Sequence, residues 1–114
     1  MVDIESRSRA KKIANTRNLA AFANDTKWSE FFTEVCEQEI LVEVKFIDSE
    51  FLAKESRVWV PAPNYIEGFQ IGPELFVFIE WVRSRSTEKL AKIALRVGLE
   101  YVVTDSTITV LGYK

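Results

Sequence analysis

A chain of 114 residues, 47% hydrophobic and 28% charged, carries enough apolar surface for one compact domain without a covalent staple. Its single cysteine, Cys36, excludes an internal disulfide and suits a reducing compartment. The formal charge of −2 conceals a pattern of +3 over residues 1–24, −8 over residues 25–82 and +3 over residues 83–114. The acidic middle would repel phosphate, which argues against nucleic acid as a partner, and would steer a basic protein toward it. The plain alternative is that these acids keep a small domain soluble. Apolar runs such as Leu75–Ile79 fall far short of the ~20 residues that span a bilayer, so no membrane partner is expected. The charged opening MVDIESRSRAKK is not a secretory signal, and a cytoplasmic location is expected.

In chain order, a first helix is expected from Ser6 or Ser8 to about Ala23, with Ile13, Thr16, Ala20 and Ala23 on a weakly apolar face. Asn24 and Asp25 break it, and Asp25 or Thr26 caps the next helix. That helix, KWSEFFTEVCEQE, places Trp28, Phe31, Phe32, Val35 and Cys36 on one apolar stripe. Glu30, Glu34 and Glu37 lie on the other side. ILVEVKFI alternates as a half-wet strand. RVWV begins a second strand that stops at PAPN, because proline cannot donate to a ladder. YIEGFQI is a short third strand, and Gly72-Pro73 turns the chain. LFVFIEWVR reads as a fourth strand, with Leu75, Val77, Ile79 and Trp81 inward and Phe76, Phe78, Glu80 and Val82 on the other face. SRSTEKLAKIALRVG forms the last helix, with a stripe of Leu90, Ile93, Ala94 and Val97 and a left-handed cap at Gly98. TITVLGY closes as a strand, and an extra hairpin can form around residues 101–111.

The order α-α-β-β-β-β-α-β predicts an α+β fold, an antiparallel or mixed sheet of four to six strands with helices mainly on one face. Residues 1–23 read as a helical extension and residues 24–114 as the domain.

No catalytic group stands out. The chain has no histidine, so the commonest acid/base at neutral pH and any histidine-containing triad are missing. Cys36, on the buried stripe near a helix C-terminus, lacks dipole help and has glutamates for neighbours, which is a core residue's setting. Clustered zinc ligands, a cation-loop spacing and a glycine-rich phosphate cradle are absent, so neither a metal nor a cofactor is expected. Glu80 stands in a strand with apolar neighbours. It either pairs with Arg57, Arg83 or Lys45, or accepts a partner's cation within an aromatic patch. A glycosidase role would need a second facing carboxylate, which nothing fixes. Aromatics crowd residues 59–81, and the PAPNY loop, stiffened by Pro61 and Pro63, holds Asn64 and Tyr65 forward as a contact surface or as a plain turn. RSRAKK solvates the N-terminus, or touches nucleic acid through Arg7, Arg9, Lys11 and Lys12.

Three stretches occur together: NDTKW opening a helix, IEW ending a strand, and GL followed by TVLGY. Over residues 24–114 this arrangement resembles a family of small bacterial single-domain proteins of uncharacterised function. The resemblance transfers no catalytic residue and implies a stand-alone domain, similar in kind to immunity proteins that neutralise bacterial toxins. The expected function is therefore non-enzymatic protein binding, with a basic toxin as the concrete partner. Glu30, Glu34 and Glu37 of the second helix and Glu43, Glu67 and Glu80 of the sheet would meet it, and Trp59, Tyr65 or Phe78 would anchor it. Two alternatives stand beside this. A homodimer would bury Phe76, Phe78 and Val82. A small-ligand domain or enzyme would show a pocket around Trp59, Glu80 and Trp81.

Overall fold

In the computed structural model, which describes residues 2–114, three helices pack with two antiparallel sheets around one continuous core. Helix α1 (Val2–Thr16) buries Ala10 and Ala14 in that core. It ends at Thr16, well short of Ala23. Asn18 adopts a left-handed conformation, and the Leu19 amide donates back to the Ala14 carbonyl at 2.8 Å. Asparagine tolerates this conformation, and the bond closes the last turn. The freed segment pairs instead with the C-terminus. Ala20 and Lys114 exchange backbone bonds, and the Phe22 amide donates to Gly112.

Helix α2 (Asp25–Glu37) is capped by Asn24, whose side-chain oxygen accepts from the Lys27 amide at 2.9 Å. The cap thus sits one residue before the acid expected to supply it. The apolar stripe is as expected: Trp28, Phe31, Phe32 and Val35 are buried, and Cys36 half-buried. Trp28, Phe31 and Phe32 pack ring against ring, with centroids 5.2 to 5.6 Å apart.

Strands β1 (Glu43–Phe46), β5 (Ile79–Ser84), β7 (Thr107–Leu111) and β6 (Tyr101–Thr104) form one sheet in the order β1-β5-β7-β6. Strands β2 (Val58–Trp59), β3 (Tyr65–Gly68) and β4 (Glu74–Leu75) form the other, in chain order. Helix α3 (Thr87–Val97) buries Leu90, Ile93 and Ala94 and ends at Gly98, which is left-handed as expected. The hairpin at residues 101–111 is present as β6–β7.

The expected fourth strand is corrected. Leu75 ends β4, Phe76–Phe78 make a 3-10 turn, and β5 starts at Ile79. The turn carries the chain from one sheet to the other, so the two-residue alternation is lost there. Phe76 and Phe78 are each only 1% exposed, and Val82 is fully buried. Phe32 of α2 stacks on Phe76 at 5.5 Å, and the Arg9 guanidinium of α1 lies 4.5 Å from the Phe78 ring centre. The face expected to receive a twin subunit is thus inside the core, and Phe78 cannot anchor a partner.

Candidate functional site

Where β1 meets β5 the register slips. Lys45 faces Trp81 while Phe46 faces Ile79, which leaves Glu80 as an extra residue in its strand. Such a bulge re-aims a side chain. The Glu80 carboxylate, 14% exposed, accepts from Lys45 Nζ at 2.8 Å and from both terminal nitrogens of Arg17 at 2.9 and 3.3 Å. Arg17 also donates to the Ile47 carbonyl at 3.0 Å. Burial alone would raise the pKa of Glu80. The hydrogen bonds from Arg17 and Lys45, with their charges, overcome that and hold it below the ordinary carboxylate value. Of the pairings expected for Glu80, the structure selects Lys45 and adds Arg17. Its charge is balanced from within the chain.

The backbone at Glu80 is equally occupied. Its carbonyl accepts from the amides of Gly112 at 2.8 Å and Tyr113 at 3.1 Å. A Cβ on residue 112 would collide with the Ile79 carbonyl and lie 3.1 Å from Trp28, so only glycine fits this crossing. The Tyr113 hydroxyl donates to the Val77 carbonyl at 2.6 Å. Three of the short motifs, TKW, IEW and GY, therefore meet at one junction through Trp28, Glu80 and Gly112. Its role is architectural.

A different place is open to solvent. A groove of about 310 Å³ lies between the C-terminal end of α2 and the β2–β3 hairpin, lined by Val35, Cys36, Glu39, Ile40, Arg57, Val58, Trp59 and Phe69. Trp59 pairs across the hairpin with Glu67, and its indole N–H donates to the Glu67 carboxylate at 3.0 Å. Phe69 meets Trp59 edge to face at 6.0 Å and is 79% exposed, while Trp59 is 40% exposed. Glu39 is ion-paired with Arg57 at the rim. The Cys36 thiol points to the Val58 carbonyl at 3.3 Å, and burial pushes its pKa up. Such a shift disfavours the thiolate, the reactive form of cysteine.

Of the residues singled out from sequence, Trp59 and Glu67 come together here. Glu30 and Glu37 are exposed on α2, and Glu34 ties α2 to Arg96 of α3 at 2.6 Å. Glu43 binds Arg83 at 3.3 Å. Tyr65 is not a loop tip. It is half-buried in β3 opposite Leu75 and packs on the core. Trp59 and the Glu80–Trp81 pair lie in different sheets, and the groove lined by Trp59 includes neither Glu80 nor Trp81. Phe69, one of the aromatics crowding residues 59–81 and not among the expected anchors, stands beside Trp59 because it shares strand parity with Glu67, which lies opposite Trp59. Among the described residues no three His, Cys, Asp or Glu side chains are grouped to hold a metal ion, and no helix is long and apolar enough to cross a membrane.

No curated protein and no solved structure matches the chain. A family of unknown function, DUF6678, matches residues 10–114, from the middle of α1 to the C-terminus. With nearly its whole length covered by that match, the chain belongs to the DUF6678 family.

Proposed function

We propose that this domain is a non-enzymatic protein-binding module that docks a basic protein on the Trp59–Phe69 groove, and that the partner is a toxin neutralised by occlusion. The observation that carries this reading is the exposed aromatic pair over an apolar groove, bordered by Glu39 and Glu67. Large apolar side chains with an acceptor beside them are the composition of interface anchors. The indole is already oriented by Glu67, so little side-chain freedom is lost on docking. The test combines affinity capture with wild-type chain, Trp59→Ala and Phe69→Ala, read by mass spectrometry and followed by a titration with the purified partner. One stoichiometric basic partner that both variants lose, and whose toxicity the wild-type chain abolishes, supports the reading. Unchanged capture by both variants overturns the groove, and a captured partner without toxicity overturns the toxin assignment.

A second reading, self-association, rests on β6. It is the edge of its sheet, carries no proline or lysine, and exposes Val102 and Val103. Sedimentation of the pure chain decides it, since a monomer at high concentration removes this reading.

A further inference from the structure

Two apolar recesses meet beside α1 and share no lining residue with the Trp59 groove. The larger, about 400 Å³, is walled by Ala14, Leu19, Ala21, Val77 and Tyr113, with Arg7, Lys11 and Asn15 also in its lining. The smaller, about 180 Å³, shares Arg7, Ala21, Val77 and Tyr113 and reaches Trp28 and Phe76. The polar groups of this wall are already satisfied. The Tyr113 hydroxyl is bonded to Val77, and Ala21 bridges Tyr113 through the backbone. What remains for a ligand there is apolar surface.

The larger recess has a cationic polar lining, whereas the smaller also contains Asn24 and Asp25. Arg7 and Lys11 stand one turn apart on α1, and Asn15 follows at the next turn. Asp25 already balances Arg7. Lys11 is exposed and, among the described residues, has no ion-pair partner. An apolar cavity of a few hundred Å³ with a small number of polar groups is the form of a small-molecule site. One ammonium in excess suits a monoanion better than a doubly charged phosphate.

We propose that these joined recesses bind a small amphipathic carboxylate, its apolar body against Val77, Tyr113 and Phe76 and its head on Lys11 and Asn15. Part of the basic segment RSRAKK thereby gains a role that solvation alone does not give it. Arg9 faces elsewhere, toward Phe78 and Asp48.

The test titrates the full chain with octanoate, octanol, octyl phosphate and acetate, followed by calorimetry and by amide NMR shifts. Saturable one-to-one binding of octanoate is expected, with shifts centred on Ala14, Ala21, Val77 and Tyr113, and no binding of acetate. Lys11→Gln should weaken octanoate about threefold to fivefold and leave octanol unchanged, as the loss of one exposed charge contact would. Ala21→Phe, which fills the space shared by both recesses, should abolish both. Ala21→Leu, a smaller filler at an exposed position, gives the same readout if the phenylalanine variant does not fold. Non-saturable uptake, binding that the filling variant leaves intact, or octanoate binding indifferent to Lys11→Gln overturns the proposal. Octyl phosphate binding more tightly than octanoate overturns the choice of a carboxylate.

Discussion

The Glu80 junction and the Trp59 groove each bring a strand glutamate together with a tryptophan, yet they are opposite in kind. At Glu80 both carboxylate oxygens and the backbone carbonyl are engaged. Lys45 and Arg17 take its carboxylate, and Gly112 and Tyr113 take its carbonyl. At Trp59 the acid accepts one indole hydrogen, and the large neighbouring ring of Phe69 stays in water. A partly buried charge must be satisfied within the chain or cost several kcal/mol. An exposed aromatic is tolerated in the free protein and becomes favourable when a partner covers it. Saturated polar groups thus mark architecture, and the uncovered apolar surface at Trp59 and Phe69 is where the proposed partner would dock.

The sharpest way to break this contrast is Gly112→Ala. A methyl group there strikes backbone, which cannot yield as a side chain can, and a loss on the order of 3–5 kcal/mol is expected. A thermal melt within a degree or two of wild type would show that the crossing is looser than its geometry. Glu80→Ala comes next. It strands Lys45, only 9% exposed, beside Arg17, and should cost about 2–4 kcal/mol in urea unfolding. The pair Lys45→Met with Glu80→Leu should recover much of that loss, because no buried charge is left unpaired.

The pH dependence follows in sign. The folded-state pKa of Glu80 lies below its unfolded value of about 4.5, so the unfolded chain binds the proton more readily. Its contribution is full above that value and is lost as pH falls through the depressed folded-state pKa. Glu80→Gln should therefore flatten the acid limb of the stability curve. Glu74 is shifted the other way, chiefly by burial, so Glu74→Gln should steepen that limb. Equal slopes in both variants would refute the assignment. The smallest effect on stability belongs to the groove. Phe69→Ala should change the unfolding free energy by no more than about 0.5 kcal/mol, while weakening partner binding by about tenfold or more.

Much of the local structure was legible. The stripe of α2 is wide and spaced for a helix, and its packing requires nothing beyond a flat apolar neighbour. The end of α3 at Gly98 was equally plain, because a left-handed cap is a local backbone preference. The end of α1 is not legible in the sequence, because Leu19–Ala23 look helical in isolation. Their backbone bonds go to residues 112–114, a partner no local pattern announces. The break of Leu75–Arg83 was hidden for a related reason. A 3-10 turn between two sheets leaves no proline or glycine behind, and both phenylalanines are covered by helices from far along the chain. Of the candidate site, Trp59 and Glu67 are legible as contact residues, while Phe69 is legible only as one of the aromatics of residues 59–81.

The charge pattern shows most plainly where sequence ends and tertiary structure begins. Composition alone established a basic–acidic–basic arrangement, and it suggested an acidic surface waiting for a basic partner. In the folded chain, Arg7, Arg9 and Arg17 from the first block reach Asp25, Asp48 and Glu80. Arg83, Arg85 and Arg96 from the last block reach Glu43, Glu55 and Glu34. Much of the complementarity is internal, and it binds both ends of the chain to its middle. Sequence by itself determined which residues are apolar, where α2 and α3 run and which short segments can be strands, because those depend on neighbours a few positions away. Only the tertiary structure decided that Glu80 is balanced, that Phe78 is buried and that Trp59 and Phe69 stand together. The first two depend on contacts between residues far apart in the chain, whose pairing no local periodicity encodes, and the third on the register of the β2–β3 hairpin.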